Sequence, residues 1–520
     1  MYKKLTKFHL LALFTISCLA QRNFAQESNQ NPNVILILVD DLGYGDVSAY
    51  NENAAFATVN IDRLAKEGIS FTDAHTSSAV CSPTRYGIIT GRYSWRSKLK
   101  HGVLKGYSKP IINNERKTIA ELFKENGYST GMIGKWHLGW DWQFVGNPNI
   151  KNNDIEAPET DFNKPILNGP NTHGFEYFYG ISASLSSPPY VYIENNLATS
   201  IPKDSSVNYD EKAFWRKGPV APDFNHIEVL PNLGDKTVEY IKDQAKSDKP
   251  FFLYCALTAP HAPIIPSTEF IGKSKTNAFG DFVLMVDHVV GKITEAVREE
   301  ESLKNTIVIF TSDNGQSPRA DFRGDELSKA GHNGSYIFRG QKSDIYEGGH
   351  RVPFIVKWPG KINEGGISNE TICTIDLMAT ASELVNVKLP DTAGEDSYSI
   401  LPILKGESYN KPLREATVHH SGTGRFAIRK EEWKLILWPG SGGWSSPSTE
   451  EEMQGLPEFQ LYNLKEDPTE KKNLVAEHPQ KVKELQSLLE KYITQGRSTP
   501  GIPQKNDGPE KWAELEWMFK

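Results

Sequence analysis

Three uninterrupted apolar runs, Val34–Val39, Phe251–Leu257 and Thr306–Thr311, constrain the fold more than any other feature of the chain. A strand with one wet face alternates apolar and polar residues. An unbroken run of this length therefore reads as a strand buried on both faces of a parallel sheet. Each run ends in polar groups: Asp40-Asp41 after the first, His261 within Thr-Ala-Pro-His-Ala-Pro after the second, and Ser312-Asp313-Asn314-Gly315 after the third. Helical segments alternate with the runs. Asn60 is placed to cap Ile61–Glu67, with Gly68 as the stop, and Thr118 with Glu121 forms a capping-box pattern ahead of Gly127. Strand–helix alternation implies an α/β domain whose sheet is mostly parallel, and such sheets bind ligands beyond the carboxyl ends of their strands.

Asp-Asp after one strand and Asp-Asn after another place three carboxylates and an amide oxygen at that edge. Adjacent carboxylates repel unless a cation lies between them. With no thiolate or imidazole in the set, Asp40, Asp41, Asp313 and Asn314 suit Ca²⁺ or Mg²⁺; turn and capping roles are the competing explanation. The stretch Cys81-Ser-Pro83-Thr-Arg85 through Gly91 reads as a helix with Pro in its first turn and Gly at its end. Cys81 then sits at the positive helix N-terminus, with Arg85 one turn on. Two readings follow from the residues alone: an ordinary capped helix with a buried Cys, or a thiolate nucleophile of lowered pKa. Cys255 and Cys373 lie in apolar runs and read as small buried hydrophobes.

Charge and composition exclude several classes. With 58 basic against 65 acidic side chains the chain carries −7, the wrong sign for a nucleic-acid binder. Lys3, Lys4 and Lys7 ahead of the apolar stretch from Leu10 to Ala20 have the layout of a signal peptide over residues 1–25, cleaved after Ala20 or Ala25. The stretch is too short to span a bilayer. A lipid anchor through Cys18 is disfavoured because Thr15 sits where a bulky aliphatic residue is needed. The mature chain is thus expected to be soluble and exported, periplasmic or secreted, with no membrane span. Beyond a predicted helix at Thr374–Val387 the periodicity shortens to strands at Phe426–Arg429, Trp433–Leu437 and Phe459–Tyr462. Lys481–Ile493 follows as an amphipathic closing helix.

In its motifs the chain resembles the type I sulfatases. Ala79 through Gly91 is similar to the first sulfatase signature, built on Cys-x-Pro-x-Arg, and Gly127 through Lys135-Trp-His137 is similar to the second. Asp40-Asp41, Pro260-His261, Asp313-Asn314 and Arg-Gly-Gln-Lys342 extend the likeness over nearly the whole mature chain. The resemblance implies an alkaline-phosphatase-like sulfatase fold. A large mostly parallel or mixed sheet lies between helices in a catalytic domain over 26–400, and a smaller antiparallel α+β subdomain follows over 401–520.

It further implies that a maturating enzyme, the formylglycine-generating partner, oxidises Cys81 to formylglycine, hydrated to a geminal diol. One hydroxyl attacks sulfur and the alcohol leaves; the second expels sulfate by C–O cleavage. Asp40, Asp41, Asp313 and Asn314, with the oxidised Cys81, hold Ca²⁺. Arg85, Lys135 and Lys342 supply positive charge. His261, assisted by Lys342, is the general acid and His137 the base. The implied substrate is a sulfated saccharide, an algal polysaccharide or glycosaminoglycan fragment. A phosphomonoester or phosphonate hydrolase and a non-catalytic glycan-binding protein are the rival readings.

Weaker features complete the inventory. His332-Asn333 suits a substrate contact or a turn. His419-His420 suits an interdomain seam better than the pocket. Trp140, Trp142, Tyr190, Tyr192 and Trp215 flank or lie within the insert-like stretches Gln143–Pro170 and Ser200–Asn225. These aromatics either stack on sugar rings or pin their loops to the body.

Overall fold

The computed structural model describes residues 31–146, 158–208, 212–321 and 326–519. The expected signal segment at 1–25, with Cys18, lies outside the described residues, as do parts of both insert-like stretches. Ten strands share one sheet among the described residues. In chain order they are β1 (Asn33–Asp40), β2 (Ile69–Phe71), β3 (Ser129–Lys135), β4 (Tyr177–Ile181), β5 (Ile193–Glu194), β6 (Leu197–Ala198), β7 (Phe251–Pro260), β8 (Thr306–Ser312), β9 (Phe354–Lys357) and β10 (Gly366–Ser368). They run β10-β2-β9-β8-β1-β7-β3-β4-β5-β6 across the sheet. The central ladders, β8·β1, β1·β7, β7·β3 and β3·β4, are parallel, while β9 pairs antiparallel with both of its neighbours. The sheet is mixed, with a parallel heart.

The three apolar runs form that heart. β1 lies between β7 and β8, and every residue of β1 is buried, as its unbroken hydrophobicity requires. Helices α1 (Val59–Lys66), α4 (Val229–Gln244) and α5 (Ala278–Glu299) pack together as one covering layer. Helices α2 (Cys81–Thr90), α3 (Ile119–Glu125) and α6 (Leu377–Leu384) form the other. Val34 and Leu36 of β1 face α3 and α6, whereas Cys255 of β7 faces α4, where its Sγ meets Thr237 Oγ1 at 3.4 Å.

The capping box holds: Thr118 Oγ1 accepts from the Glu121 N–H at 3.1 Å, and the Glu121 carboxylate accepts from the Thr118 N–H at 2.9 Å. Asn60 is not the cap of its helix. Helix α1 begins one residue earlier, and Asp287 of α5 accepts from the Asn60 and Ile61 N–H groups at 3.0 and 2.9 Å. A carboxylate from a neighbouring helix thus does the work assigned to a local side chain. The expected helix at Thr374–Val387 is shorter too, a 3₁₀ turn at Thr374–Asp376 leading into α6.

A second, four-stranded antiparallel sheet follows: β11 (Thr417–His420), β12 (Phe426–Lys430), β13 (Trp433–Ile436) and β14 (Gln460–Asn463). Helix α7 (Pro479–Gln495) lays Val482, Leu485, Leu489, Tyr492 and Ile493 against Phe426, Ile428, Leu435 and Leu461. Tyr93 and Trp95, just beyond α2, enter this same apolar cluster, so the cysteine-bearing segment is anchored in both bodies. Cys255 and Cys373 are buried, as their apolar settings imply. No helix among the described residues is long and apolar enough to cross a membrane.

Candidate active site

Four adjacent strands end in polar groups at one edge of the sheet. Val39 pairs with Ser312, which sets Asp40-Asp41 beside Asp313-Asn314. Asp40 pairs with Pro260, which brings in His261 from the end of β7. β3 adds Lys135, and Gly134 is required just before it. A Cβ there would stand 1.9 Å from the Ala256 carbonyl oxygen, and its φ is +120°. Cys81 is the first residue of α2, and Gly91 ends that helix in the left-handed conformation. Asp41 and His137 also hold positive φ, +68° and +59°, strained values for residues with a side chain.

The side chains converge. Ligand atoms of Asp40, Asp41, Cys81 and His261 lie within 4.8 Å of one another. Arg85 donates to Asp313 Oδ2 from Nε at 3.0 Å and from Nη2 at 2.7 Å. Lys135 donates to Asp40 Oδ2 at 2.7 Å, and Lys342 to Asp41 Oδ1 at 2.5 Å. The Asp41 N–H donates to Asp313 Oδ1 at 3.2 Å, and Asn314 Nδ2 donates to Asp41 Oδ1 at 2.8 Å. Asp40, Asp41, Cys81, Arg85, Lys135, His261, Asp313, Asn314 and Lys342 are thus brought together here, and His137 borders the same cleft.

Two oxygens are left over. Asp40 Oδ1 and Asn314 Oδ1 are buried and have no hydrogen-bond partner. An orphaned buried polar oxygen is costly, so a carboxylate oxygen and an amide oxygen left over beside Asp41 and Asp313 point to a missing partner. The all-oxygen donor set fits a hard divalent cation, Ca²⁺ or Mg²⁺.

Burial and charge set the protonation states. Burial would raise Asp40, but Lys135, His261, Arg85 and Lys342 hold it well below the usual carboxylate range. Burial and the Asp40 charge push Asp313 up to about 7 against the pull of Arg85. Burial also pushes the Cys81 thiol up to about 12, more than Lys135 and Lys342 can offset. Of the two readings of Cys81, burial favours the neutral thiol: the helix N-terminus does not compensate for the loss of water. Burial, reinforced by Lys342, takes His261 down to about 4, and burial with Lys135 and Arg85 takes His137 well below its ordinary value. Both imidazoles are neutral in this state. His137 Nε2 donates to the Leu104 carbonyl at 2.7 Å, which leaves a buried Nδ1 without a partner, and His261 Nδ1 donates to the Ala262 carbonyl at 2.5 Å.

Above these groups opens a cleft of about 310 Å³ bordered by Cys81, Leu104, His137, Ser184, His261 and Lys342. Arg216 and Trp444 also border it, and the sequence reading missed both. The only hints were the position of Arg216 beside Trp215 and of Trp444 in a Gly/Ser-rich stretch. The aromatics singled out earlier pin loops instead. Trp140, Trp142, Tyr190 and Tyr192 are buried, and Trp215 stacks on His226 at 3.9 Å. His332 donates from Nε2 to Asp46 at 2.8 Å, away from the cleft. His419 stacks on His350 at 3.9 Å in the seam between the two sheets.

Comparison with known proteins agrees with this geometry. A family model described as Sulfatase matches residues 32–387, and one described as N-sulphoglucosamine sulphohydrolase, C-terminal, matches residues 338–499. The chain is 34% identical over 503 residues to an N-acetylgalactosamine-6-O-sulfatase of Bacteroides thetaiotaomicron, covering 90% of this chain and 94% of the relative. It is 27% identical to the human N-acetylgalactosamine-6-sulfatase, covering 95% and 91%. A solved structure from work on the metabolism of multiple glycosaminoglycans by Bacteroides thetaiotaomicron superposes with a TM-score of 0.75. It has 32% identity and covers 89% of this chain and 99% of that one.

Proposed function

The chain belongs to the sulfatase family, and from that premise we propose that it hydrolyses sulfate esters on a glycosaminoglycan-type saccharide after export, with 6-sulfated N-acetylgalactosamine as the first substrate to test. The observation that carries this reading is the pair of orphaned oxygens, Asp40 Oδ1 and Asn314 Oδ1, with Asp40 clustered against Cys81 and His261, which border a cleft shared with Lys342 and His137. The substrate class follows the names of the relatives. A phosphate-ester hydrolase is the rival, and turnover of matched aryl sulfate and aryl phosphate separates the two. Preference for phosphate refutes the proposal.

The residues divide the work by charge. Cys81, oxidised to formylglycine by a maturating enzyme, is the nucleophile at the helix start. Lys342 and Lys135 supply fixed positive charge around the transferring sulfuryl group, and Arg85 holds Asp313 in place. His137, tethered through Nε2, presents Nδ1 as the base that takes the proton of the second hydroxyl. His261 spends its Nδ1 proton on the Ala262 carbonyl, so its Nε2 first takes up a proton from solvent; the imidazolium, assisted by Lys342, then protonates the leaving oxygen. Asp40, Asp41, Asp313 and Asn314 would hold the divalent cation, which when bound stabilises negative charge on the sulfate and the nucleophile.

Two results test this division. His261→Ala is expected to lower kcat about 10²- to 10⁴-fold on a sugar sulfate. The loss on nitrophenyl sulfate should be smaller, because that leaving group departs without a proton. Equal losses on both would remove His261 from the acid role and leave it to Lys342. Chelation is expected to lower both activity and the thermal midpoint, and added Ca²⁺ to restore both. Saturation to about 100 times Kd corresponds to about 2.7 kcal/mol of stabilisation. A midpoint that ignores chelator and Ca²⁺ alike would remove the ion from the site.

A further inference from the structure

The cleft has a second arm, which reaches past Asp41, His261 and Lys342 to residues with no assigned role. The first arm descends to Cys81; the second, of about 120 Å³, is bordered by Phe214, Ser317 and Arg319. Ser186, Arg216, His261, Lys342 and Trp444 border both arms, so the two open into one another. Arg216 and Arg319 both stand over one ring: their guanidinium carbons lie 5.6 and 5.7 Å from the Phe214 centroid. Arg216 spends one donor on the Ser186 carbonyl at 3.1 Å. Neither arginine pairs with a carboxylate among the described residues. The buried arginines contrast with them: Arg85, Arg92, Arg96 and Arg414 each hold an acid at short range. In a chain of net charge −7, two exposed, unpaired guanidinium groups beside a cleft are a local cationic field of the kind that collects anions.

We propose that Arg216 and Arg319 form a second anion subsite, which selects saccharides carrying another negative group, a sulfate or a uronate carboxylate, in addition to the sulfate at Cys81. Trp444 supplies the platform between the arms. Its side chain is exposed, while its backbone N–H is tied to Asp344 Oδ1 at 2.8 Å. The inference rests on the sulfatase reading of the first arm and adds the charge pattern of the substrate to it.

The test compares N-acetylgalactosamine 6-sulfate, its 4,6-disulfate and the glucuronate-linked 6-sulfated disaccharide. The double variant Arg216→Ala/Arg319→Ala is expected to lose about tenfold or more in kcat/KM on a dianionic substrate than on the monosulfate, through KM, with Arg→Lys at both positions recovering part of it. Added salt should shrink the wild-type preference. Selective loss on the disulfate identifies a second sulfate, and selective loss on the disaccharide identifies a carboxylate. Equal losses on all three substrates, or none, overturn the proposal. Calorimetric titration of Cys81→Ala protein with the same sugars, with and without the arginines, reads the subsite without turnover. Arginine-dependent preference for a dianion with no sulfate released by the wild type would keep the subsite and reject the sulfatase reading; sulfate release by a wild type with no dianion preference, or with a preference the double variant keeps, would do the reverse.

Discussion

Cys81→Ala is expected to abolish sulfate release, with kcat reduced roughly 10⁴-fold or more while the protein stays folded. The side chain sits at the first position of α2, where alanine is at home in the helix. Its loss removes a small buried group and leaves the ion pairs of Asp40, Asp41 and Asp313 with Lys135, Lys342 and Arg85 in place. The thermal midpoint should therefore change little, and the four remaining ligands, Asp40, Asp41, Asp313 and Asn314, should still bind Ca²⁺, more weakly for the loss of the fifth. Cys81→Ser is expected to be almost as damaging. A single hydroxyl can attack sulfur once but has no second hydroxyl to expel the sulfate, so any activity should end in a stalled covalent ester. Peptide mass spectrometry across residue 81 of active protein completes the test. A thiol throughout, or undiminished turnover by Cys81→Ala, would remove the nucleophile from the mechanism.

How much of this site was legible in the chain follows from where each residue gets its position. Asp40, His261 and Asp313 sit at the ends of strands whose apolar runs announce themselves, and parallel pairing of those strands brings the three to one edge. Local pattern and tertiary place coincide there. Arg216, Arg319 and Trp444 are exposed residues in a short strand (Trp215–Val220), a 3₁₀ turn (Pro318–Asp321) and a loop, separated by about a hundred residues each. No period marks them, and only the closing of the cleft makes them neighbours. The cap of α1 was misplaced for the same reason, since its carboxylate, Asp287, comes from 227 residues away. The choice between a buried thiol and a thiolate at Cys81 stayed open because sequence shows the helix start but not the full burial that outweighs it. The substrate class is least legible of all, because it depends on loops and not on the strands that carry the chemistry.

Asp396→Ala is expected to be the most destabilising single change, about 3–5 kcal/mol, because it strands a buried guanidinium. Asp396 accepts from Arg96 at both Nε and Nη2, each at 2.8 Å, and from the Tyr93 and Ser498 N–H groups at 2.9 and 3.0 Å. Burial works against its charge, yet Arg96 holds its pKa below the ordinary value. The pair clamps the chain just past the Cys81 helix to the segment at 395–398 and, through Arg96 Nη1 and the Tyr492 carbonyl at 2.8 Å, to α7. Against a total of about 5–15 kcal/mol for a folded protein, such a loss threatens the whole assembly. The thermal midpoint should fall by roughly 5–15 °C. Replacing both partners with apolar residues, as in Arg96→Met/Asp396→Leu, should recover much of the loss, since no charge is then left unpaired. A fall of under about 1 kcal/mol in the single variant would mean that water reaches Arg96 after all. The frame around position 81 would then rest on the apolar contacts of Tyr93 and Trp95 instead of on this ion pair.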